Sequence, residues 1–233
     1  MEKGEHYPIL QSMQVIIPAL NEEQGIAFTI AELKAYLSNP RILVVDGKSR
    51  DNTVHVAKSL DADVLRQEGK GKGDAIAFAL RRMNDNVDYV VLTDADYTYP
   101  AEYLPEMIKI LEENPHVGMV CGNRFNGQVD SKALHNVFYV GNRLIAFAHN
   151  MLNGVQLSDP LTGLRVIRAK ILKGWKVKSK GFDIEVELNH HVERRGFTIV
   201  EVPIQYRQRL GEKKLKATDG ATILKRIMLE TTY

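Results

Sequence analysis

Short apolar segments that alternate with helical patterns constrain the fold of this 233-residue chain more than any other feature. Five such segments occur in the first half. Each is continuously apolar, as expected of strands buried on both faces of a sheet. Apolar residues at helical spacing follow the first of them, at Ile26, Ile30, Leu33 and Leu37. The alternation predicts an α/β fold with a mainly parallel central sheet and helices on both of its faces. The predicted strands are 13–17, 42–45, 64–65, 89–93 and 117–121.

Helix starts and the second half of the chain are predicted from shorter patterns. We expect Asn21 to cap the first helix, with two glutamates in its first turn, and Asp51 to cap the second. Further helices are predicted at 75–83, 103–111, 136–152 and 182–194, with strands at 163–167 and, at a sheet edge, 198–202. A basic amphipathic helix is predicted at about 218–230. Its apolar face suits either a membrane surface or the protein's own core.

Charge is distributed unevenly along the chain. The net charge is +2, yet residues 205–226 contain seven basic and two acidic side chains, a balance of +5, which leaves −3 for the remainder. A basic segment on a nearly neutral body favours phosphates or an anionic surface as partners. An ordinary solvated surface is the alternative.

We expect the chain to be cytoplasmic and not to cross a bilayer. The first ten residues lack the apolar core of a signal peptide, and no run approaches the ~18 apolar residues of a membrane span. The single cysteine, Cys121, excludes a disulfide framework within the chain, which fits a reducing compartment. Because it lies in an apolar segment, we interpret it as a buried strand residue.

Polar residues directly follow four of the predicted strands. They are Asn21-Glu22, Asp46, residues 69–74, and Asp94-Ala95-Asp96. The carboxyl ends of parallel strands meet at one edge of a sheet, where α/β proteins bind their ligands. We therefore expect the four clusters to line one crevice.

Asp94 and Asp96 are the strongest candidates for a metal site. They lie one residue apart at the end of a buried strand and repel each other unless a cation or a proton separates them. Carboxylate oxygens suit Mg²⁺ or Mn²⁺, which proteins bind through one or two carboxylates together with substrate phosphates. A polar turn at a strand end is the alternative interpretation.

The glycine-rich segment 69–74 is a weaker candidate for anion binding. Its spacing matches neither the GxxxxGK[ST] phosphate loop nor the full dinucleotide fingerprint. Placed before a helix, it would offer backbone N–H groups and two lysines, Lys70 and Lys72, to a phosphate. Alone, it does not distinguish an anion site from a turn.

Eight motifs in order identify a family resemblance. They are Pro18 to Glu23, Val44 to Thr53, Gly71 to Ala75, Asp94 to Asp96, Gly122 to Phe125, Ser158 to Arg165, Gly181 to Leu188 and Glu201 to Leu215. Together they resemble family 2 glycosyltransferases with the GT-A fold, and most closely the dolichyl-phosphate or polyprenyl-phosphate mannose and glucose synthases. The resemblance covers roughly 13–230. The chain departs from the family pattern at two places. The common Asp-Asp-Gly-Ser reads Asp46-Gly47-Lys48-Ser49, so a second carboxylate is missing, and Lys213 stands where a serine is usual.

The resemblance implies a metal-dependent site for a nucleotide sugar such as GDP-mannose or UDP-glucose. The residues that would bind the donor are Pro18, Leu20, Asn21, Glu22, Asp46, Lys72, Asp74, Asp94, Ala95, Asp96, Asp159, Arg207 and Lys214. The metal, Mg²⁺ or Mn²⁺, would be held by Asp94, Asp96 and Glu185. The catalytic residues would be Asp96, Asp94, Arg124 and Glu185.

The resemblance also implies a polyprenyl or dolichyl phosphate acceptor, with Arg124 and Arg209 at its phosphate. The second pKa of a phosphate monoester is ~6, so it attacks as an anion and needs no general base. A metal and basic residues would offset its repulsion from the donor's diphosphate. In-line attack would invert the anomeric carbon. We expect peripheral contact with the membrane and no nucleic-acid partner.

The implied organisation is a single domain over 1–233. A donor half would span about 13–121, an acceptor half 122–217, and the basic helix would follow. Two other hypotheses stay open at this point. The same fold could act on a soluble acceptor, such as a small phosphorylated acid or a glycan, or the chain could be a non-catalytic module that binds sugar nucleotides or membranes.

Overall fold

Seven strands in the described part of the chain form one mixed sheet. The computed structural model describes residues 12–125, 137–152 and 156–231. The strands are β1 (Met13–Ala19), β2 (Arg41–Asp46), β3 (Asp63–Arg66), β4 (Tyr89–Leu92), β5 (Val117–Asn123), β6 (Arg165–Arg168) and β7 (Thr198–Pro203). Their order across the sheet is β3-β2-β1-β4-β6-β5-β7. Residues 1–11, on which the expectation about a signal peptide rests, lie outside this description.

Helices connect most of the strands. They are α1 (Ile26–Tyr36), α2 (Thr53–Ser59), α3 (Lys72–Leu80), α4 (Leu104–Glu113), α5 (Val137–Leu152), α6 (Ala169–Leu172), α7 (Ile184–Arg194) and α8 (Ala217–Glu230), with a 3₁₀ turn at Ala101–Tyr103 before α4. Among the described residues, no helix is both long enough and apolar enough to span a bilayer.

The sheet is mainly parallel, as the sequence predicts. β1 pairs in parallel with β2 and β4, β2 with β3, and β5 with β7. β6 is the exception, because it lies antiparallel between β4 and β5. From β1 the sheet extends through β2 and β3 on one side, and β4 is added on the other side of β1. A topological switch point, of the kind that binds ligands in α/β sheets, therefore lies between β1 and β4.

Apolar side chains cover both faces of the sheet. Along β1, Val15 and Ile17 belong to one core cluster and Ile16 to the other, which is the period-two alternation of a strand. The first cluster includes residues of α1, α2 and α4, and the second includes residues of α3, α6 and α7. Cys121 lies in β5 and is 1% exposed, which confirms it as a buried strand residue. Burial raises the pKa of its thiol to about 12.

The prediction that Asn21 caps the first helix is wrong. Asn21 adopts a left-handed φ of 51°, a conformation that asparagine tolerates, and its side-chain oxygen accepts the N–H of Arg50 at 2.8 Å. The carbonyl of Glu22 accepts the N–H groups of Gly25 and Ile26, and α1 begins only at Ile26. An ideal Cβ on Gly25 would lie 2.7 Å from the carbonyl oxygen of Ala95. Glycine therefore lets the start of α1 touch the Asp94–Asp96 turn.

The start of α3 is also held against a distant segment. α3 begins at Lys72, earlier than the predicted residue 75, and residues 178–183 cross its first turn. The N–H groups of Gly73 and Asp74 donate to the carbonyls of Gly181 and Lys180 at 3.1 and 3.2 Å. An ideal Cβ on Gly73 would lie 2.5 Å from the carbonyl oxygen of Ser179. A glycine is required here because the two backbones are in contact.

We predict that Gly73→Ala destabilises the protein by about 1–3 kcal/mol, the usual cost of forcing extra atoms into a packed site. Gly220→Ala is the matched control, because Gly220 lies in α8 and nothing lies within 4 Å of its ideal Cβ. That change should be neutral or stabilising by up to about 1 kcal/mol. Urea unfolding of both variants measures the difference, and equal unfolding midpoints would contradict the close contact.

Candidate functional site

A cavity of about 580 Å³ opens at the carboxyl edge of the first four strands. Three of the four predicted polar clusters contribute residues to its wall, and at the fourth position the neighbours of Asp46, Val45 and Gly47, line it instead. The lining residues are Pro18, Ala19, Leu20, Asn21, Glu22, Val45, Gly47, Lys48, Arg50, Gln67, Lys70, Gly71, Lys72, Ala75, Asp94, Ala95, Asp96, Phe182, Arg209 and Lys214. Nine residues of the predicted donor set are therefore in this wall: Pro18, Leu20, Asn21, Glu22, Lys72, Asp94, Ala95, Asp96 and Lys214.

Lys72 joins two of the predicted metal-binding carboxylates. Its Nζ lies 2.6 Å from Oδ1 of Asp94 and 2.7 Å from Oε1 of Glu185. Burial alone would lower the pKa of Lys72, but the two carboxylates raise it above its usual value. Lys72 is therefore a charged ammonium group fixed between α7 and the end of β4.

Arg209 makes a second bridge on the other side of the same turn. Its Nη1 lies 2.8 Å from Oδ2 of Asp96, and its Nη2 contacts Oε1 of Glu22. The remaining oxygen of Asp96 accepts the Thr98 hydroxyl at 2.6 Å. Burial, and then the charge of Asp94, raises the pKa of Asp96 above its usual range. Arg209 was predicted at the acceptor phosphate; in the structure it contacts Glu22 and Asp96, and its acceptor role stays a prediction.

The charge of this cluster fits a divalent cation. Four carboxylates, Asp94, Asp96, Glu22 and Glu185, share two cationic side chains, so two negative charges are uncompensated within the cluster when all four are ionised. Among the described residues, none lies within hydrogen-bonding distance of the buried Oε2 atoms of Glu22 and Glu185. Oxygen donors of this kind suit Mg²⁺ or Mn²⁺.

The cluster is nevertheless not a preformed protein cage for a metal. The described part of the chain contains no group of three or more His, Cys, Asp or Glu side chains placed to hold one ion. Lys72 stands between Asp94 and Glu185, so these two carboxylates would not share an ion without its displacement. Asp94 and Asp96, completed by ligand phosphates, are the better fit for the metal.

The glycine-rich segment contributes lysines to the cavity, but part of its predicted backbone site is already used. The N–H groups of Gly73 and Asp74 donate to carbonyls of residues 180–181. The prediction that this helix start offers its amides to a phosphate is therefore wrong for these two groups. Lys70 and Lys72 do line the cavity.

Two further donor-site candidates hold turns in place beside the cavity. The carboxylate of Asp46 accepts the N–H groups of Lys48 and Ser49, both at 3.1 Å. Asp74 accepts the side-chain amide of Gln67 at 2.7 Å. Neither is among the described residues that line the cavity. Gln67, which does line it, follows β3 and was not predicted as a site residue.

Arg124 is held in a bidentate pair with Asp159. Its Nε and Nη2 lie 2.6 and 2.7 Å from the two carboxylate oxygens, and its backbone N–H also donates to Asp159 at 3.0 Å. Burial alone would lower the pKa of Arg124, and Asp159 raises it well above the usual value. The carboxylate of Glu201 accepts the N–H groups of Ser158 and Asp159 and fixes that loop.

The loop from Asp159 to Gly163 connects this pair to the metal candidates. The N–H of Gly163 donates to the Tyr99 hydroxyl at 2.7 Å, and an ideal Cβ on Gly163 would lie 2.6 Å from Oδ2 of Asp94. Arg207, by contrast, binds Glu32 of α1 through two hydrogen bonds of 2.8 and 2.6 Å. It is not among the described lining residues, so its donor role stays a prediction.

Several lining residues were not predicted from the sequence, among them Arg50, Gln67 and Phe182. Arg50 and Gln67 each follow a predicted strand end within a few residues, so the rule that polar residues after strand ends line the site could have found them. Phe182 comes from a segment far along the chain. Only the tertiary contact of that segment with α3 brings it to the cavity.

Comparison with known proteins gives a consistent family assignment. The family model for glycosyl transferase family 2 matches residues 14–175. A dolichyl-phosphate hexose transferase of Haloferax volcanii is 33% identical over 93% of this chain and 92% of that protein. An undecaprenyl-phosphate mannosyltransferase of Micrococcus luteus is 30% identical over 86% of each. A low-salt glycan biosynthesis hexosyltransferase of Haloferax volcanii is 32% identical, and the chain spans 51% of its length.

Solved structures of another glycosyl-transferring enzyme have the same fold as this chain. Glucosyl-3-phosphoglycerate synthase from Mycobacterium tuberculosis, in complex with Mn²⁺, UDP-glucose and phosphoglyceric acid, superposes with a TM-score of 0.75 over 95% of this chain and 80% of its own. Its sequence identity to this chain is 20%. A complex of the same synthase with Mg²⁺ and UDP also superposes with a TM-score of 0.75. At this identity the likeness confirms the GT-A fold alone.

We predict that Glu22 makes a contribution to stability that is lost as the pH rises from about 4.5 to about 7. Burial raises the pKa of Glu22 from 4.5 to about 7; Arg209 opposes this and Asp96 adds to it. Between these values the folded chain binds a proton at Glu22 that the unfolded chain lacks, so the free energy of unfolding falls with pH. The full effect is at most roughly 3 kcal/mol, at about 1.4 kcal/mol per pKa unit.

Glu22→Gln should remove this part of the pH dependence. The measurement is urea unfolding at pH 5 and pH 8 without added metal or nucleotide. Glu106→Gln, at an exposed carboxylate on α4, is the control and should keep the wild-type slope. The same slope in Glu22→Gln as in the wild type would contradict the raised pKa.

Proposed function

Because the chain belongs to glycosyl transferase family 2, we propose that it transfers a hexose from a nucleotide sugar to a dolichyl or polyprenyl phosphate, with inversion at the anomeric carbon. The observation that carries the proposal is the Asp94–Asp96 turn in the wall of a cavity at the switch point of a GT-A sheet. Relatives of similar length that are named for transfer to dolichyl or undecaprenyl phosphate support the choice of acceptor.

The donor would lie in the cavity with its base near the β1 and β2 ends and its diphosphate near Asp94 and Asp96. Leu20, 42% exposed, offers an apolar surface to a base, and Lys214 donates to the carbonyl of Asn21 at 3.2 Å beside it. When bound, Mg²⁺ or Mn²⁺ would neutralise the leaving diphosphate. Lys72 and Arg209, which now contact Asp94 and Asp96, would turn to the same phosphates when a metal takes their place on the carboxylates.

The acceptor phosphate would approach Arg124. The pair with Asp159 uses its Nε and Nη2, and an arginine carries five N–H donors, so the guanidinium retains donors for an anion. Asp159 fixes the orientation of the guanidinium, and the 159–163 loop sets its position relative to Asp94. A phosphate monoester with a pKa of ~6 is already an anion near neutral pH, so charge neutralisation rather than proton abstraction is the catalytic requirement.

Helices α5 and α8 provide a surface for the lipid part of such an acceptor. They pack against each other through Ile145, Ile223 and Ile227. Their outward sides carry large apolar residues that are 42–67% exposed: Leu144, Phe147 and Met151 on α5, and Leu224 and Met228 on α8. The exposed side chain of Arg143 lies beside them on α5. An apolar face with an adjacent cation suits the interface of an anionic bilayer, so we propose peripheral contact with the membrane at this face.

The proposal predicts metal-dependent transfer of label to lipid. Wild-type protein with Mn²⁺, labelled GDP-mannose or UDP-glucose, and dolichyl phosphate should move label into the organic phase. Asp96→Asn should reduce the rate at least roughly 100-fold, the usual loss when one electrostatic contact to the transition state is removed. Asp61→Asn is the control, because the Asp61 side chain is 93% exposed and its φ of 53° suits asparagine.

Each outcome of this assay separates the hypotheses. Label that moves only to a small phosphorylated acid or a glycan would replace the lipid acceptor with a soluble one. The absence of transfer and of donor hydrolysis with every donor would indicate a non-catalytic module. Equal rates for Asp96→Asn and Asp61→Asn would contradict the assigned role of Asp96.

We also predict that Phe147→Ser weakens binding to vesicles of phosphatidylglycerol and phosphatidylcholine by roughly tenfold, since full burial of a phenylalanine is worth about 1.5–3 kcal/mol. Phe28→Ser is the matched control. Phe28 is also largely exposed, at 56%, but it lies on α1 and contacts the Tyr97 ring. Cosedimentation measures both, and an equal loss of binding in the two variants would contradict the α5–α8 face as the docking surface.

A further inference from the structure

Arg226 joins helix α8 to the segment that forms one wall of the donor cavity. Its side chain is only 12% exposed, and Nε lies 3.0 Å from Oδ2 of Asp183. Other nitrogens of the guanidinium lie 3.9 Å from Glu187 and 3.4 Å from Glu230. All three carboxylates are 5–6% exposed, so Arg226 is a buried charge among buried acids.

Two of the acids that contact Arg226, Asp183 just before α7 and Glu187 within it, also hold residues 178–182. Oδ1 of Asp183 accepts the N–H of Gly181 at 3.1 Å. The carboxylate of Glu187 accepts the N–H groups of Lys178 and Ser179 at 2.8 and 2.6 Å. Asp183 therefore binds the segment through Oδ1 and Arg226 through Oδ2. Glu187 binds the segment through both of its oxygens, and its Oε2 also faces Arg226. A change at Arg226 acts directly on the groups that fix the segment.

The 178–182 segment in turn fixes the first turn of α3, where Lys72 lies. Its carbonyls at Lys180 and Gly181 accept the first-turn amides of α3, and its Phe182 lines the cavity with its ring 6.0 Å from Nζ of Lys72. Glu185, two residues beyond Asp183, binds Lys72, which binds Asp94. Continuous contacts thus lead from α8 to the carboxylates that would receive the donor's metal and diphosphate.

We propose that Arg226 is a positioning residue for donor binding, through which α8 holds the 178–182 segment and Lys72 in their binding geometry. The inference rests on the proposed function only in taking the donor to be a nucleotide sugar. The inference gives α8 a role besides the proposed membrane contact. Its outward side carries Leu224 and Met228, and its opposite side supports the donor site through Arg226. Lys225, adjacent in sequence but exposed, takes no part in this network.

The test compares Arg226→Gln, Arg226→Lys and Lys225→Gln. Titration calorimetry with GDP-mannose and UDP-glucose in the presence of Mn²⁺ gives the donor dissociation constant. Arg226→Gln should raise it roughly 2- to 30-fold, the range of coupling through connected side chains. Arg226→Lys, which keeps the charge near Asp183, should recover most of the affinity, and Lys225→Gln should bind donor as the wild type does. Steady-state rates should show the effect of Arg226→Gln mainly in the KM for donor.

Hydrogen–deuterium exchange gives a readout that needs no ligand. The peptides that contain 73–74 and 178–183 should exchange faster in Arg226→Gln than in Lys225→Gln, because their amides depend on Asp183 and Glu187. If Arg226→Gln is too unstable to purify, Asp183→Asn tests the same link from the other side and should accelerate the same peptides. Unchanged exchange in these peptides, or equal donor affinity in Arg226→Gln and the wild type, would overturn the inference. A wild-type protein that binds no nucleotide sugar but shows the exchange difference would overturn the proposed function and leave this link intact.

Discussion

Electrostatic repulsion at the end of β4 is the constraint on which the rest of the site depends. Asp94 and Asp96 follow the strand, Glu22 approaches from the β1 end, and Glu185 from α7. Lys72 of α3 and Arg209 of the segment after β7 each bridge two of these acids. Removing one partner of a buried ion pair typically costs about 3–5 kcal/mol. The pairs therefore tie together segments from both halves of the chain, and the same residues are those that a metal and a diphosphate would engage.

The proposed function would give the two cations a specific part in donor binding. A metal held by Asp94 and Asp96 would replace the positive charge that Lys72 and Arg209 now bring to these acids. A diphosphate would likewise replace the negative charge that the carboxylates now bring to Lys72 and Arg209. Under the proposed function, binding therefore exchanges partners within the cluster rather than creating buried charge. Burial is the main cause of the raised pKa values of both Glu22 and Asp96, and Arg209, which contacts both acids, opposes it.

The sequence predicts those parts of the fold and site that depend on local pattern. Alternation of apolar segments predicts the parallel strands β1 to β5, and the residues after each strand end predict most of the cavity wall. Contacts between distant segments are not encoded locally. No pattern indicates that Asn21 would turn toward Arg50, or that carbonyls of 180–181 would take the amides of Gly73 and Asp74. Arg226 has the same charge as Lys225, and only the packing of α8 on α7 makes one buried and the other exposed.

The antiparallel strand β6 explains how the second half of the chain reaches the same site. Arg165 at the start of β6 is paired with Leu92 at the end of β4. The amino end of an antiparallel strand lies beside the carboxyl ends of its neighbours, so the 159–163 loop, which precedes β6, reaches Asp94. The parallel strands β5 and β7 end at the same edge, which places Arg124 after β5 and the Arg207–Arg209 segment after β7. The reversal of β6 thus brings Asp159 to the edge that the first four strands make acidic, and the direction of β5 and β7, parallel to β4, brings Arg124 and Arg209 to the same edge.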